Sequence, residues 1–347
     1  MQSIYDYTFE ELTSYITSIG DKPFRATQIF EWLYRKRVRS FEEMTNLKES
    51  LIEHLKVNFS LELLKINDIH ESSDGTKKYL FELDDHNIIE TVLMRHSYGN
   101  SVCVSSEVGC SMGCSFCAST LLGIKRKLSL AEMVLQVLMV ILDLDKEDSK
   151  LTNIVVMGIG EPFDNYDNLL RFLKVVNYPK GLEIGARHIT VSTCGIVPKI
   201  KEFALFPLQI NLALSLHAPT NELRNKLMKI NQRYPLEEVI DALKYYYEKT
   251  NRRITFEYIL IDNVNDSKED AYNLIKLIRG MNAYVNLIPY NEVENKPYKT
   301  VSHDKAEEFF LILNKAGINT TLRIKHGDDI NAACGQLRIK KIGTNNE

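Results

Sequence analysis

The chain has 347 residues, of which 44% are hydrophobic and 26% are charged, and its formal net charge at pH 7 is −3. That length can hold two domains, or one large α/β unit with a smaller unit attached. The near-neutral balance excludes a global basic field, so any contact with nucleic acid must come from a local patch. No segment has the pattern of a membrane span or a signal peptide, and we expect a cytoplasmic protein with no membrane contact.

Residues 1–58 are predicted to form a small helical domain, because apolar residues recur there at helical intervals. Six basic residues and one acidic residue lie between positions 22 and 39, with Trp32 and Tyr34 among them. Such a segment is either a solvated helical face or a face that contacts phosphate groups. In the second case we expect the charges of Arg35 and Arg37 to matter.

Residues 59–98 form the next predicted unit, a β-hairpin linker with strands at 78–83 and 88–93. From 99 to 347, strand-like and helix-like runs alternate. Six βα units in succession imply a parallel sheet, and we expect an α/β fold with a partial (βα)6 barrel. Functional residues of such barrels collect at the carboxyl ends of the strands. The predicted strands lie at 101–106, 152–157, 187–193, 210–216, 253–261 and 284–289.

Four of the six cysteines lie within positions 103–117, and Cys110, Cys114 and Cys117 have the spacing C-x3-C-x2-C. In a reducing compartment, such spacing indicates metal binding more often than a disulfide. Three thiolates bind three irons of a [4Fe-4S] cluster and leave the fourth iron open to another ligand. The alternatives are a zinc site completed by a remote ligand such as His217, or three buried structural cysteines. The second cysteine pair of a zinc ribbon is absent from the sequence.

The second predicted strand ends in a glycine-rich turn, which reads Gly-Ile-Gly-Glu-Pro at 158–162. Its glycines would let the backbone approach a ligand closely, and Glu161 could accept a hydrogen bond from an ammonium group. An ordinary βα turn is the alternative. The turn is not a Walker motif, because no Gly-Lys-Ser or Gly-Lys-Thr follows it.

Three further cysteines lie outside the triplet. Cys103 ends the strand that leads into the triplet, and Cys334 lies among small and polar residues after the last βα unit, where it could fold back over the barrel mouth. A lone cysteine is more often a small buried residue than a functional one. That interpretation stays open for both on sequence pattern alone, and Cys194 is interpreted as structural.

Together these motifs resemble the RlmN/Cfr family of radical S-adenosylmethionine RNA adenosine methyltransferases, over nearly the whole chain. The resemblance implies an RNA-binding accessory domain at 1–58, a hairpin linker at 59–98, and a radical S-adenosylmethionine core with a C-terminal catalytic loop at 99–347. The residues that carry it are 103–110, the cysteine triplet, 157–162, Ser215, Leu216, His217, Asn291, 327–337 and, in the helical domain, 22–32.

The resemblance implies a [4Fe-4S] cluster on Cys110, Cys114 and Cys117 and two molecules of S-adenosylmethionine per turnover. One molecule methylates a cysteine that matches Cys334. The other is cleaved to a 5′-deoxyadenosyl radical, which takes a hydrogen atom from the S-methyl group, and the resulting methylene radical adds to the adenine ring. The residues that match cofactor-binding positions are Gly160, Glu161, Ser192, Ser215, Leu216, His217 and Asn291.

The resemblance also implies how the product forms and leaves. Glu90 matches the carboxylate that accepts the proton from the ring carbon, although pattern alone would make it a solvent-facing strand residue. Cys103 matches the cysteine that forms a transient disulfide with Cys334. Thiol–disulfide exchange requires two cysteines that are not cluster ligands, and these two meet that condition.

The family has two branches, which methylate either C2 or C8 of an adenosine in 23S ribosomal RNA, and the C8 (Cfr) branch confers antibiotic resistance. Pro162 and the pair Asp328-Asp329 favour the C2 branch. That branch often also modifies an adenosine beside the anticodon of transfer RNA, which the sequence leaves open. We further expect a flavodoxin-type electron donor and a monomer. On the motifs alone, a radical enzyme acting on another substrate and a metal-stapled RNA-binding protein without catalysis also stay open.

Overall fold

The structure is a computed structural model that describes residues 1–323, 327–330, 332, 335–337 and 340–341. The predictions for Cys334 concern a residue outside these ranges. Among the described residues, no helix combines the length and the apolarity that a membrane crossing requires.

The N-terminal region contains three helices and two short strands, which are β1 (Gln2–Ser3), α1 (Phe9–Ser18), α2 (Phe24–Phe30), α3 (Glu49–Asn58) and β2 (Phe59–Ser60). A capping box starts α1, because Glu11 N–H donates to Thr8 Oγ1 at 3.2 Å and Thr8 N–H donates to Glu11 Oε2 at 2.8 Å. After α2 the chain forms a π-helical stretch, Glu31–Lys36, which ends at Arg37 in a left-handed conformation with φ 55°. Parallel pairing of β1 and β2 joins the two ends of the region.

One large sheet organises the rest of the described chain. Its eleven strands are β3 (Lys65–Glu71), β4 (Lys77–Glu82), β5 (Asn87–His96), β6 (Gly99–Cys103), β9 (Leu151–Val156), β10 (Ile189–Thr193), β11 (Asn211–Ser215), β12 (Ile254–Leu260), β13 (Ala283–Pro289), β14 (Asn319–Leu322) and β15 (Lys340–Lys341). A separate antiparallel pair consists of β7 (Glu107–Gly109) and β8 (Ile124–Lys127).

The strands of the large sheet lie in the order β14-β13-β12-β11-β10-β9-β6-β5-β4-β3, and β15 pairs with β5. Pairing is parallel from β6 to β14 and antiparallel from β3 to β6. The connecting helices are α4 (Leu130–Asp145), α5 (Tyr166–Asn177), α6 (Val197–Phe203), α7 (Asn221–Leu227), α8 (Leu236–Thr250), α9 (Lys268–Ile278) and α10 (His303–Lys315).

The predicted α/β fold is confirmed, since each of the six predicted strands overlaps one of β6, β9, β10, β11, β12 and β13. The sequence did not predict β14, because this edge strand is short, largely polar and only partly buried. The predicted hairpin is present as β4 and β5, and β5 pairs with β6, so the hairpin extends the central sheet. An alternating pattern marks a strand without revealing which strand lies beside it.

Two arginines of the basic segment in the N-terminal region pair with carboxylates elsewhere in the chain, at the surface of the α/β unit. Arg37 lies 2.9 Å from Asp145, and Arg35 forms an ion pair with Glu183. These carboxylates lie 108 and 148 residues further along the chain, so the sequence pattern could not reveal them. The positions of Arg35 and Arg37 therefore do not support the expected phosphate contacts. The exposed basic residues of this segment are Lys22, Arg35, Lys36 and Arg39, and of these Arg35 forms the ion pair with Glu183.

Candidate active site

A cavity opens at the carboxyl ends of β9, β10, β11 and β12, beside the cysteine loop. Parallel strands bring the side chains at their carboxyl ends to one edge of a sheet, as the sequence analysis expected. Gly335 and Leu337 of the C-terminal segment also line the cavity. The predicted site residues that line it are Cys110, Cys114, Cys117, Gly160, Glu161, Ser192, Ser215 and His217.

The cysteine loop is held from two sides. Ser115 N–H donates to the carbonyl of Leu227, at the end of α7, with an N–O distance of 2.9 Å. Ala118 N–H donates to the carbonyl of Gly335 at 2.9 Å. The loop is therefore fixed between a helix of the barrel and the C-terminal segment.

The chemistry of the three cysteines fits an iron–sulfur cluster. In the part of the chain that the structure describes, no three His, Cys, Asp or Glu side chains are grouped as ligands of one metal ion. A [4Fe-4S] cluster gives each thiolate its own iron, so its ligands stand apart around the inorganic core. Burial raises the pKa of Cys110 to about 12 and the pKa of Cys114 well above its usual value. Both thiols need a cation beside them to become thiolates, and iron supplies that charge.

The glycine-rich turn passes directly over the segment that precedes the cysteine loop. A Cβ at Gly158 would lie 2.8 Å from the backbone nitrogen of Ser105, and one at Gly160 would lie 2.6 Å from the Cβ of Glu107. Gly160 also has a φ of 107°, which side chains rarely adopt. The close approach of this neighbouring segment requires both glycines, and both also line the cavity, so the approach of a ligand to their backbone stays a prediction.

Glu161 is 4% exposed, and three donors fix its carboxylate. Thr193 Oγ1 donates to it at 2.7 Å, Cys194 N–H at 2.8 Å and Phe163 N–H at 3.1 Å. Burial nevertheless raises the pKa of Glu161. The thiol of Cys194 also hydrogen-bonds to this carboxylate, which lines the cavity and can accept a further hydrogen bond from a ligand there.

His217 lines the cavity as a neutral ring. Its Nδ1 accepts a hydrogen bond from Ile259 N–H at 3.1 Å, which leaves the ring proton on Nε2. Burial lowers the pKa of His217 to about 3, and the charge of Arg224 acts in the same direction. The edge of the ring meets Phe116, with centroids 5.1 Å apart. His217 can therefore offer a ligand a hydrogen bond from Nε2.

Arg224, which the sequence pattern did not reveal, is a fully buried arginine that bonds to the segments after β10 and β11. Its guanidinium donates to the carbonyls of Cys194 at 2.6 Å, Leu216 at 3.2 Å and Ser215 at 3.3 Å. It also donates to Asn231 Oδ1 at 3.0 Å. A buried charge is tolerated only with such bonds, so Arg224 fixes the backbone that carries the cavity residues.

Two of the predicted cofactor residues, Leu216 and Asn291, are not among the described residues that line the cavity. The side chain of Leu216 is in the main core, and its N–H donates to the carbonyl of Glu257 at 3.0 Å. Asn291 is 4% exposed and follows β13. Ser192 and Ser215, in contrast, place their hydroxyl oxygens 3.1 Å apart at the cavity wall.

Cys103 belongs to an apolar cluster that joins β5, β6 and the C-terminal segment. It is 9% exposed and clusters with Val92, Met94, Ala332 and Leu337. The described residues before and after position 334 thus share a cluster with Cys103.

Glu90 is 1% exposed, so the solvent-facing alternative is wrong. Lys78 Nζ lies 3.7 Å from Glu90 Oε1 and donates to the carbonyl of Ile330 at 2.6 Å. Glu90 therefore lies close to the C-terminal segment, as Cys103 does.

Glu257 and Arg323 also line the cavity, and neither was among the predicted site residues. Glu257 is 7% exposed and accepts a hydrogen bond from Asn286 Nδ2 at 2.8 Å. Burial raises the pKa of Glu257. A carboxylate within the otherwise apolar strand β12 was the available signal, because a buried charge needs a specific partner.

The chain is similar to known proteins in sequence and in fold. The family model of the ribosomal RNA large subunit methyltransferase N-terminal domain matches residues 2–61, and the family model of the radical SAM superfamily matches residues 104–275. A probable dual-specificity RNA methyltransferase RlmN from Geobacillus kaustophilus is 56% identical over 341 residues, which cover 98% of this chain and 93% of the relative. The chain belongs to the RlmN family.

A second RlmN relative, from Bacillus subtilis, is 54% identical over 339 residues, which cover 98% of this chain and 93% of the relative. A radical SAM methyltransferase from Sphaerobacter thermophilus, whose crystal structure is known, is 43% identical in sequence to this chain. The two structures superpose with a TM-score of 0.93, and the match covers 97% of this chain and 99% of the other. The family resemblance is therefore confirmed. Membership of the radical SAM superfamily implies S-adenosylmethionine and a [4Fe-4S] cluster as cofactors.

Proposed function

We propose that this chain methylates C2 of an adenosine in 23S ribosomal RNA, and C2 of an adenosine beside the anticodon of transfer RNA. The relatives are named dual-specificity RNA methyltransferases, which supports two RNA substrates. The observation that carries the proposal is the shared cavity of the cysteine triplet, the glycine-rich turn and the C-terminal segment. The Cfr alternative is not favoured, because relatives at 54–56% identity bear the RlmN name.

In this proposal Cys110, Cys114 and Cys117 hold the cluster. When bound, the cluster supplies the electron that cleaves S-adenosylmethionine and yields a carbon-centred radical. Glu161, whose carboxylate lines the cavity, accepts a hydrogen bond from the amino group of that ligand. The other proposed ligand contacts are Gly160, the hydroxyls of Ser192 and Ser215, Nε2 of His217, Leu216 and Asn291.

We propose that Cys334 carries the methyl group, which it receives from the first of two molecules of S-adenosylmethionine. After the methylene carbon is joined to the adenine ring, Glu90 accepts the proton of the ring carbon, and the ring radical gives up one electron, which the bound cluster would accept. The thiolate of Cys103 then attacks the sulfur of Cys334. A disulfide forms, the bond from that sulfur to carbon breaks, and the carbon takes up a proton as a methyl group. Two equivalents of an external thiol supply the two electrons that reduce the disulfide, and they leave as an external disulfide.

Two observations support this division of roles. Ala332 and Leu337 flank position 334 and cluster with Cys103, which supports the cysteine pair. Glu90 is buried beside Lys78, and Lys78 donates a hydrogen bond to the carbonyl of Ile330. These contacts support a carboxylate close to the C-terminal segment.

The remaining parts of the proposal concern partners. The exposed basic residues of the N-terminal region support an RNA-binding role through phosphate contacts. A flavodoxin-type protein is the proposed electron donor, because cleavage of S-adenosylmethionine consumes an electron that the chain does not make. We propose a monomer that acts in the cytoplasm, where both RNA substrates are found.

Nucleoside analysis of treated RNA tests the proposal. The reconstituted enzyme, with S-adenosylmethionine and a reductant, should form 2-methyladenosine in a 23S fragment and in transfer RNA. Formation of 8-methyladenosine without 2-methyladenosine would show that the regiochemistry is wrong. Cys334→Ala should retain the cluster and RNA binding but lose the product, and full activity of that variant would end the methyl-carrier role.

A further inference from the structure

A buried carboxylate that the proposed mechanism does not use lies beneath the glycine-rich turn. Glu107 lies on β7 and is 0% exposed. Its Oε2 accepts a hydrogen bond from Glu161 N–H at 2.9 Å. A Cβ at Gly160 would lie only 2.6 to 2.8 Å from its Cβ, Cγ and Oε2. Glu107 therefore contacts the turn at the glycine and at the residue that carries the cavity carboxylate.

The second oxygen of Glu107 presents a difficulty for an ionised side chain. Among the residues that the structure describes, none makes a hydrogen bond to its buried Oε1. Its charged neighbours include two carboxylates, those of Asp164 and Glu161. The nearby cation is Lys127, the cross-strand neighbour of Glu107, and its Nζ lies 3.8 Å from Asp164 Oδ1. The thiol of Cys110 is the next titratable group along the chain.

An ionised Glu107 would leave one buried oxygen unsatisfied and would place three negative charges together. A neutral carboxylic acid removes both difficulties, because it keeps one oxygen as an acceptor and gains an O–H donor. The acceptor oxygen receives the hydrogen bond from Glu161 N–H, and the O–H donates a hydrogen bond to the Asp164 carboxylate. Burial, reinforced by the Asp164 carboxylate, raises the pKa of Glu107 to about 8, in agreement with this geometry.

We infer that Glu107 is a positioning residue for the S-adenosylmethionine site, an inference that rests on the proposed function. As a neutral acid it bridges the backbone of Glu161 and the side chain of Asp164, and so it fixes the turn at 158–161. Thr193 and Cys194 donate hydrogen bonds to the carboxylate of Glu161, and Glu107 accepts one from its backbone N–H. Loss of the hydrogen bond between Glu107 and the Glu161 backbone would let the cavity wall shift.

Two substitutions separate this role from simple filling of space. Glu107→Gln keeps one acceptor and one donor at every pH, whereas Glu107→Leu fills a similar volume without either. At pH 7 we expect Glu107→Gln to bind S-adenosylmethionine within about twofold of the unsubstituted chain, and Glu107→Leu to bind it roughly tenfold more weakly. A role in packing alone would make the two variants alike.

The dependence of affinity on pH gives a second readout. Above its pKa, Glu107 loses the proton that it donates to Asp164, so the affinity of the unsubstituted chain should fall relative to Glu107→Gln as the pH rises. The amino group of the ligand titrates equally in both proteins, so the ratio of their dissociation constants isolates Glu107. Asp164→Asn removes a neighbouring negative charge, and it should move the break in this ratio to lower pH.

The test is calorimetric binding of S-adenosylmethionine to the four cluster-loaded proteins from about pH 6.5 to about 9.5. Thermal melting and iron content establish that each variant is folded and loaded. If Glu107→Leu fails to fold, the pH-dependent ratio between Glu107→Gln and the unsubstituted chain still decides. Identical pH profiles for these two, or a Glu107→Gln as weak as Glu107→Leu, would overturn the inference. Failure of the unsubstituted chain to bind the ligand at any pH would instead overturn the proposed function.

Discussion

The cavity and the basic N-terminal segment are both concentrations of reactive or charged residues, yet their side chains are held differently. At the cavity, the buried side chains of Glu161 and Arg224 have specific partners, which include Thr193, Cys194 and Phe163 as donors to Glu161 and four acceptors for Arg224. In the basic segment, Arg35 and Arg37 form ion pairs with carboxylates of the core at the surface. A buried polar group admits few arrangements, whereas an exposed charge admits many. Charge clustering is therefore the weaker guide to function.

The largest effect should come from the cysteine loop. Cys114→Ala removes one of three thiolates, so iron and sulfide contents should fall to background and RNA methylation should be abolished. Cys194→Ala is the matched control, because Cys194 also lines the cavity and is not assigned to the cluster. Full iron loading of Cys114→Ala, or complete loss of iron from Cys194→Ala, would contradict the ligand assignment.

The next largest effect concerns Glu90. Glu90→Gln should slow single-turnover RNA methylation by roughly 10²–10⁴-fold, the usual effect of removing a general base, while methylation of Cys334 proceeds. Lys78→Gln is the control, since it disrupts the same ion pair and leaves the carboxylate in place. Equal slowing by both substitutions would show that the contacts of Lys78 with Glu90 and Ile330, and not proton acceptance by Glu90, are responsible.

A smaller effect is expected from the neutral ring of His217. The folded chain protonates this ring only near pH 3, whereas the unfolded chain protonates it near pH 6.5. The unfolded state therefore binds more protons between these values, so His217 makes stability fall as the pH drops through this window. Between pH 7 and pH 5, the unsubstituted chain should lose about 2 kcal/mol more free energy of unfolding than His217→Asn. Urea unfolding at both pH values measures this difference, and parallel losses would mean that folding does not lower the pKa of the ring.

The smallest effects should distinguish the two kinds of basic residue. Charge reversal of Arg35 and Arg37 together should lower the free energy of unfolding by about 1 kcal/mol, because each exposed ion pair contributes about 0.2–1 kcal/mol. The salt dependence of RNA binding should stay unchanged. Lys36→Glu and Arg39→Glu should instead weaken RNA binding and reduce its salt slope by about one each. If RNA binding were weakened by the changes at Arg35 and Arg37 and not by those at Lys36 and Arg39, Arg35 and Arg37 would be the residues that contact phosphate.

The order of the core elements was predictable, because strands such as β9 and β11 are nearly continuous apolar runs followed by helical patterns. The cysteine triplet and the glycine-rich turn were predictable from their spacing. Arg224 and Glu107 were not, because their partners Cys194 and Glu161 lie 30 and 54 residues away. Arg224 belongs to no local motif, and the motif at 103–110 that contains Glu107 does not reveal its partner, so only the folded chain shows which backbone groups they reach.

Mass spectrometry of the tryptic peptide that contains Cys334, from protein purified without oxygen, tests the central claim most directly. The account predicts one methyl group on the sulfur of Cys334 and none on Cys103. It also predicts that the methyl group disappears after one turnover with RNA when no further S-adenosylmethionine is supplied. An unmodified Cys334 in an enzyme that methylates RNA, or a methyl group on Cys103 instead, would contradict it.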